Sequence, residues 1–253
     1  MNFATEFGSG LKSYGEAHRV IFKYRLTNYL WIPGIITILY CLLFFWLTGY
    51  FAGRIATEAD AYPGWLSWMG SFTHWFLKSI YWVAIVFFFF ASLKYILQVL
   101  LSPLLSNLSV AVEKRVLGHE PDELNWKEVM QDIGRSLQLA IRNFLHEFFY
   151  CFILNFVPGV GQIGCFIISA YYYGFGYMDY VLERKRMTVK ESVKFTKQHK
   201  GTAIGLGLVM NVMMLIPFVG WIVAPTYATV AATLETLRLL GHTMDTSTGL
   251  VQE

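Results

Sequence analysis

Charged side chains are absent from four long stretches of this sequence, and their absence constrains the fold more than any other feature. The stretches are residues 26–53, 79–93, 148–178 and 201–234. A helix needs about 20 apolar residues to span the hydrocarbon core of a bilayer. The first stretch is long enough for one transmembrane helix. The second is also long enough when it is extended to 75–97. This extension includes two lysines near its ends, which is acceptable because a long lysine side chain there can reach the membrane interface.

The composition points to the same environment. Hydrophobic residues make up 55% of the 253 residues and charged residues only 15%, against about 25% charged residues in a soluble domain. This excludes a disordered chain and an ordinary soluble enzyme, and a net charge of +3 gives no reason to expect a nucleic-acid partner. Cys41, Cys151 and Cys165 lie in apolar runs, and an odd number of cysteines without paired spacing predicts neither a disulfide framework nor a zinc site. We therefore expect an all-α integral membrane protein.

The third and fourth stretches predict two re-entrant helical hairpins. Each is long for one span but short for two spans with a turn, and each has Pro and Gly near its middle. Proline breaks a helix because it lacks an N–H donor and clashes with the preceding turn, and glycine allows the chain to reverse. We call the two segments hairpin 1 (148–178) and hairpin 2 (201–240). A single kinked span in each stretch is the alternative.

The turns of the two hairpins are similar to each other. Residues 157–163 and 216–222 both read apolar-Pro-x-Val-Gly-x-Ile, with Pro217 and Gly220 as the proline and glycine of the second turn. Paired broken apolar segments point to a transport site at the interface between repeats. Chance similarity between two membrane turns is the alternative, because the match is short.

Amphipathic segments connect the apolar stretches within one predicted domain, 1–253. Thr188 and Glu191 form a capping-box pattern, Gly118 is a helix stop signal, and Gly205 and Gly207 predict close helix packing. The predicted segments are an N-terminal amphipathic helix on the membrane surface (1–25), a first transmembrane helix (26–53), a long second one bent near Pro103 (75–117), an interfacial helix (124–147), a basic helix (188–200) and a loose tail (241–253).

The distribution of Lys and Arg predicts the topology. The 54–74 loop carries one basic and two acidic residues, whereas most basic residues lie in the N-terminal segment, in 113–147 and in 179–200. Basic residues are enriched on the cytoplasmic side of a membrane. We therefore expect the 54–74 loop to lie outside and both termini to be cytoplasmic.

The turn of hairpin 1 is the sharpest candidate for an anion site. A helix that starts at a Gly-rich turn presents free backbone N–H groups and the positive end of its dipole. The backbone groups of Gly159, Val160 and Gly161, together with the side chains of Asn155 and Gln162, follow the break at Pro158. The alternative is that this turn only reverses the chain.

Three charged residues flank hairpin 1. Glu147 precedes it, Asp179 follows it, and Arg184 lies nearby. We predict a salt bridge that closes the hairpin base, between Asp179 and Arg184 or a nearby lysine, although ordinary interfacial carboxylates are the alternative. The sequence carries no nucleophile or metal-ligand constellation that predicts an enzyme, and we expect no cofactor.

These motifs resemble the CysZ sulfate permease family, also called the EI24 family. The stretch from Asn155 to Gln162 is similar to the Phe-Ile-Pro-x-x-Gly-Gln turn of that family. The resemblance covers most of the chain in order, from about Leu30 to Leu239. Its other matches are the 95–118 stretch with Ser102-Pro103-Leu104, then Met178-Asp179-Tyr180, Gly205, Leu215-Ile216-Pro217, Ala224-Pro225 and Ala231-Ala232-Thr233.

The resemblance implies a homo-oligomeric protein of the bacterial inner membrane, with two long transmembrane helices and two partly inserted hairpins. It also implies sulfate uptake for cysteine biosynthesis without an ATP-binding subunit. Members of the family carry an arginine pair before the first transmembrane helix, and that pair falls on Thr27 and Asn28 here. Lys23 and Arg25 are the nearest cations, and we predict that they substitute for the pair. Otherwise the chain transports another solute or has a structural or regulatory role.

Overall fold

The computed structural model describes residues 2–58, 100–118, 126–157, 159–216 and 219–242, together with residues 75, 76, 79, 82 and 85. These residues form α-helices and no strand, which confirms the all-α prediction. The helices are α1 (Phe3–Lys23), α2 (Asn28–Glu58), α3 (Ser102–Leu117), α4 (Trp126–Leu154), α5 (Val160–Arg184), α6 (Val189–Gln198), α7 (Lys200–Met214) and α8 (Val219–Leu239).

Backbone packing divides the chain into two compact units, which are described separately. One contains Met1–Ile35 and Gln98–Glu253, and the other contains Ile36–Leu97. The prediction of a single domain over 1–253 stays a prediction. Residues 59–74 of the predicted outer loop, most of the 75–99 part of the second span, and the tail beyond residue 242 lie outside the described residues.

The predicted first transmembrane helix lies within α2. Among the described residues, its Asn28–Tyr50 segment is the one helix that is long and apolar enough to cross a membrane. Pro33 lies inside this helix and lacks the N–H that would reach the carbonyl oxygen of Tyr29. The hydroxyl of Thr226 on α8 donates to that oxygen instead, at 3.1 Å. The α2 helix is therefore continuous through its proline, and its first turns are joined to α8.

The described end of the predicted second span is α3. It begins at Ser102 with Pro103 in its first turn, where the missing N–H costs nothing. It ends at Gly118, whose φ of +69° is the left-handed conformation that glycine favours, so the predicted stop signal is confirmed.

Both hairpin sequences form pairs of helices joined by short turns. The first arm of hairpin 1 is longer than predicted, because the expected interfacial helix (124–147) and this arm form one helix, α4. The chain reverses between Leu154 and Val160 in hairpin 1 and between Met214 and Val219 in hairpin 2. The basic helix is confirmed as α6, and its predicted capping box between Thr188 and Glu191 is formed.

Glycines let α7 pack tightly between α1 and α5. A Cβ atom on Gly205 would lie 2.5 Å from the carbonyl oxygen of Phe7, and one on Gly207 would lie 1.7 Å from that of Ala170. Real Cβ atoms do not approach so closely, so these two positions require glycine. The predicted close packing at Gly205 and Gly207 is confirmed, and the two residues contact different helices.

A helix at the N-terminus is confirmed, but its buried face is not the apolar face that an amphipathic helix on a membrane surface would have. Phe3 is exposed, whereas Glu6, Gly10 and Ser13 are buried. A Cβ on Gly10 would lie 2.8 Å from the carbonyl oxygen of Thr202 on α7. Small residues decide which face packs because the two backbones approach closely, and hydropathy does not detect this.

The compact unit formed by residues 1–35 and 98–253 has an apolar end and a polar end. The antiparallel helices α5 and α7 are joined by a hydrogen bond from Asn211 Nδ2 to the Phe166 carbonyl, so both hairpin turns lie at one end. The ion pairs of the described residues lie towards the other end. They join Arg135 to Asp179 and Glu183, Glu113 to Arg184 and Lys185, and Arg238 to Glu16 and Glu235. A hydrogen bond of 3.0 Å also joins His199 to Glu6.

Candidate functional site

The two hairpin turns expose apolar side chains. Phe156 is 74% exposed and Val160 67% in the first turn, and Leu215 is 70% exposed in the second. Clusters of exposed large apolar residues mark a surface that meets lipid or another protein. Ile163, Ile216 and Val219 belong to the same surface.

The backbone of the first turn is engaged within the hairpin. Gly159 has a φ of +81° and precedes α5. The N–H of Gly161 donates to the Val157 carbonyl at 2.8 Å, and Asn155 Nδ2 donates to the Cys151 carbonyl at 2.8 Å. Two of the donors predicted for an anion are therefore used in the turn itself.

The predicted site residues of this turn differ in their exposure, and some lie outside the described residues. The structure places Gly159, Val160 and Gln162 at the surface of the turn, whereas Gly161 is buried between the arms. Pro158 and Pro217 lie outside the described residues. The turn therefore gathers the predicted residues, but its described hydrogen bonds serve chain reversal.

The second turn repeats the geometry of the first in the register that the sequence match predicts. The N–H of Gly220 donates to the Ile216 carbonyl at 3.0 Å, as that of Gly161 does to Val157. A Cβ on Gly220 would lie 1.9 Å from the Met213 carbonyl oxygen, and one on Gly161 would lie 2.1 Å from that of Leu154. The two turns are thus similar in structure as well as in sequence.

The structure places Lys23 and Arg25 at the junction of α1 and α2, where both are exposed. Arg25 has a φ of +52°, and the N–H of Leu26 donates to the Ile21 carbonyl at 2.9 Å. This pattern is a Schellman motif, which ends α1 and buries Leu26. The left-handed backbone of Arg25 thus has a structural cause that does not depend on its charge.

A third cation approaches this junction from α3. The Nζ atom of Lys23 lies 5.6 Å from the centre of the Tyr24 ring, and the Cζ atom of Arg115 lies 6.0 Å from the same centre. No local pattern points to Arg115, because helical spacing does not show that the end of α3 meets the end of α1. Thr27 and Asn28 follow at the start of α2 and carry no charge.

The predicted salt bridge between Asp179 and Arg184 is wrong. Two guanidinium nitrogens of Arg135 on α4 instead bond the two carboxylate oxygens of Asp179, at 2.7 and 2.9 Å. Arg184 pairs with Glu113 on α3 at 2.7 Å, and Lys185 joins the same carboxylate at 2.8 Å. Residues five positions apart point to different sides of a helix. Asp179 and Arg184 therefore face different neighbours.

Arg135 is the centre of the hairpin base. Its Nη2 also donates to the Ser192 hydroxyl at 2.7 Å, and its Nη1 lies 3.3 Å from Glu183. Burial by itself lowers the pKa of Arg135, but hydrogen bonds and charge from Asp179 and Glu183 raise it above its ordinary value. The third predicted charge, Glu147, lies half-buried on α4. Arg135 thus joins α4 to Asp179 and Glu183 on α5 and to Ser192 on α6.

Arg184 has a different electrostatic environment. Burial lowers its pKa, and the nearby charges of Glu113 and Glu183 offset that effect only in part. Its Nη2 bonds Glu113, so it fastens the end of α5 to α3. Within the described residues, each of the predicted charges Asp179 and Arg184 thus has a structural partner on a neighbouring helix.

Comparison with known families identifies the chain. The model of the family described as "Sulfate transporter CysZ/Etoposide-induced protein 2.4" matches residues 13–225. That range begins within α1, includes both hairpin turns and ends within α8. It covers well over half of the 253 residues. The chain therefore belongs to the EI24 family, as the resemblance of its turns predicted.

Proposed function

We propose that this protein is a permease of the bacterial cytoplasmic membrane that takes up sulfate or a similar oxyanion for cysteine biosynthesis. The observation that carries this proposal is the family match over residues 13–225, because the family is described as a sulfate transporter. Its substrate is the anion itself, its surroundings are the lipid bilayer, and it works as a homo-oligomer without a cofactor.

The polarity of the fold supports membrane insertion of the hairpins. The apolar turns lie at one end of the unit and the ion pairs lie towards the other. On α5 the exposed large apolar side chains run from Val160 to Ile167, which corresponds to about 12 Å of helix. Because this is less than half of a hydrocarbon core, the hairpins in this proposal enter from the cytoplasmic side and return.

The junction between α1 and α2 is the better candidate for the first contact with the anion. Its cations Lys23, Arg25 and Arg115 are exposed. The turn of hairpin 1, by contrast, uses the Gly161 N–H and the Asn155 amide internally. Guanidinium and ammonium groups recognise oxyanions by charge and by hydrogen bonds. In this proposal the cations concentrate the anion beside α2, and the turns support the path through the membrane.

Uptake of labelled sulfate into liposomes tests this proposal. We expect saturable uptake that selenate inhibits more strongly than chloride or phosphate. Lys23→Glu and Arg25→Glu should reduce uptake at least tenfold. Arg25→Asn removes the charge but keeps a residue that tolerates the left-handed backbone, so it should also reduce uptake.

Arg186 provides a matched control. It too is exposed, with a φ of +58° at the end of α5. Arg186→Asn should leave uptake within twofold of the unmodified protein. If both Asn variants lower uptake equally, the effect is not specific to the junction and Arg25 is not an anion contact.

A membrane-embedded structural or regulatory role is the second candidate. It is favoured by the hairpin turns, whose surface is apolar and whose described hydrogen bonds lie within the hairpin. In this case folded protein in liposomes transports no tested anion. Substitution of Gly161 or Gly220 then changes assembly, which cross-linking in membranes measures, without any change in flux.

A further inference from the structure

We propose that Cys151 and Cys165 form a redox-reactive dithiol site, in which a disulfide bond links the two arms of hairpin 1. The site reacts with a low-molecular-weight disulfide as the oxidant. It lies between α4 and α5, and it is independent of the anion proposed above.

The two thiols face each other across the hairpin. The Sγ atom of Cys165 lies 3.6 Å from the carbonyl oxygen of Cys151, and the Sγ atom of Cys151 lies 4.0 Å from the carbonyl oxygen of Cys165. Each sulfur thus contacts the main chain of the other cysteine. This reciprocal contact places the residues at the same level of two antiparallel helices, as a disulfide requires.

Glycines bring the two backbones close enough for a covalent bond. A Cβ on Gly161 would lie 2.1 Å from the Leu154 carbonyl oxygen, and one on Gly164 would lie 2.9 Å from Leu154 Cδ1. These contacts lie between the cysteine pair and the turn. Because the arms are this close next to the cysteine pair, we expect the Cα atoms of Cys151 and Cys165 to lie within the range of about 4.4–6.8 Å that disulfide geometry needs.

Asn155 supplies a hydrogen-bond donor to the pair. Its Nδ2 lies 3.8 Å from Cys165 Sγ and 2.8 Å from the Cys151 carbonyl oxygen. Asn155 thus contacts both cysteines, which places its amide at the same level of the hairpin as the two sulfurs. The thiolate is the nucleophile in thiol–disulfide exchange. Both cysteines are half-buried, so small uncharged reagents reach them.

The reaction balances as two successive exchanges. The thiolate of one cysteine attacks one sulfur of the small disulfide, which breaks its S–S bond and releases one thiol after protonation. The thiolate of the other cysteine then attacks the cysteine sulfur of the mixed disulfide, and the second small thiol leaves with a proton. The two cysteines lose two electrons and two protons in total, and the small disulfide gains them.

Mass spectrometry of the purified full chain in detergent tests the proposal. The probe is dithiodipyridine, an uncharged aromatic disulfide, followed by denaturation and N-ethylmaleimide. We expect a peptide linked between Cys151 and Cys165 that carries no pyridyl group, and two pyridinethione molecules released per pair. Cys41→Ser should give the same linked peptide at a rate within twofold.

Single substitutions separate pairing from simple reactivity. With Cys151→Ser, Cys165 should retain one pyridylthio group because no second thiol displaces it. The proposal is overturned if unsubstituted protein carries pyridylthio groups on both cysteines, or if both remain unmodified after complete reaction. It is equally overturned if the linked peptide forms only after denaturation, because the native fold would then not bring the thiols together.

Discussion

Gly161 at the start of α5 lies directly against Leu154 at the end of α4, so that a Cβ atom on the glycine would be 2.1 Å from the leucine carbonyl oxygen. Gly220 and Met213 repeat this relationship in hairpin 2, at 1.9 Å. In both turns the glycine N–H also bonds a carbonyl within the turn. The glycine in each turn is thus required by packing between the arms.

Substitution of either turn glycine should destabilise its hairpin. We expect Gly161→Ala and Gly220→Ala to lower the free energy of unfolding by about 1–3 kcal/mol each, the usual cost of forcing a methyl group into a closed contact. Denaturation in detergent followed by circular dichroism measures this change.

Gly8 and Gly15 on α1 are the matched controls, because a Cβ on either meets nothing within 4 Å. Replacement by Ala there should be neutral or should stabilise by up to about 1 kcal/mol. Equal destabilisation by all four substitutions would show that the contacts at the turns have no special role.

Arg135 should be the most sensitive charged residue of the hairpin base. Arg135→Met leaves Asp179 and Glu183, which are 3% and 4% exposed, without their shared cation. Loss of one partner from a buried ion pair costs about 3–5 kcal/mol. Arg135→Lys should keep only part of this stabilisation, because an ammonium group cannot form two parallel hydrogen bonds with a carboxylate. Denaturation in detergent, followed by circular dichroism, gives the free energy of unfolding of both variants.

Lys190 on α6 provides the comparison for Arg135. It is exposed, and Lys190→Ala should change the free energy of unfolding by less than about 0.5 kcal/mol. If Arg135→Met lowers the free energy of unfolding by no more than this value, the structural role assigned to the contacts of Arg135 with Asp179 and Glu183 is contradicted.

Thr226 should matter for stability only while Pro33 is present. Thr226→Val removes the hydroxyl that bonds the Tyr29 carbonyl at 3.1 Å, and we expect a loss of about 1–2 kcal/mol. Pro33→Ala returns an N–H donor to that carbonyl, so Thr226→Val should cost less in this background. A double-mutant cycle measures the coupling, and additive effects would be evidence against this compensation.

The backbone N–H groups at the start of α6 should be less protected from hydrogen exchange at acid pH. Hydrogen bonds from the backbone and side chain of Thr188 lower the pKa of Glu191 below its ordinary value of 4.5. A carboxylate with a depressed pKa stabilises the folded state above its unfolded pKa, and this stabilisation is lost as the pH falls through the folded pKa. Hydrogen exchange at residues 189–192 should therefore be faster near pH 3 than near pH 6, after correction for intrinsic rates.

Glu191→Gln tests the origin of that pH dependence. Glutamine keeps the capping-box hydrogen bonds but does not ionise. The corrected protection of this variant should not change between the two pH values. The same acid-induced loss in both proteins would assign the effect to another group.

Local sequence patterns predicted much of the helical framework. The apolar run of α2, the breaks in both hairpins, the stop at Gly118 and the capping box at Thr188 each depend on residues near one another in the chain. The predicted salt bridge at the hairpin base was wrong because the actual partners of these charges lie on different helices. Asp179 bonds Arg135 rather than Arg184, and no local pattern joins residues 135 and 179.

The all-helical class, the positions of the two turns and membership of the EI24 family can all be read along the chain. They follow from hydropathy, from proline and glycine, and from short motifs. Three features emerge only when the helices pack: the buried face of α1, the approach of Arg115 and Lys23 to Tyr24, and the hydrogen bond from Thr226 that compensates for Pro33 in α2. They depend on close backbone approach and on partners far apart in the chain, which periodicity does not encode.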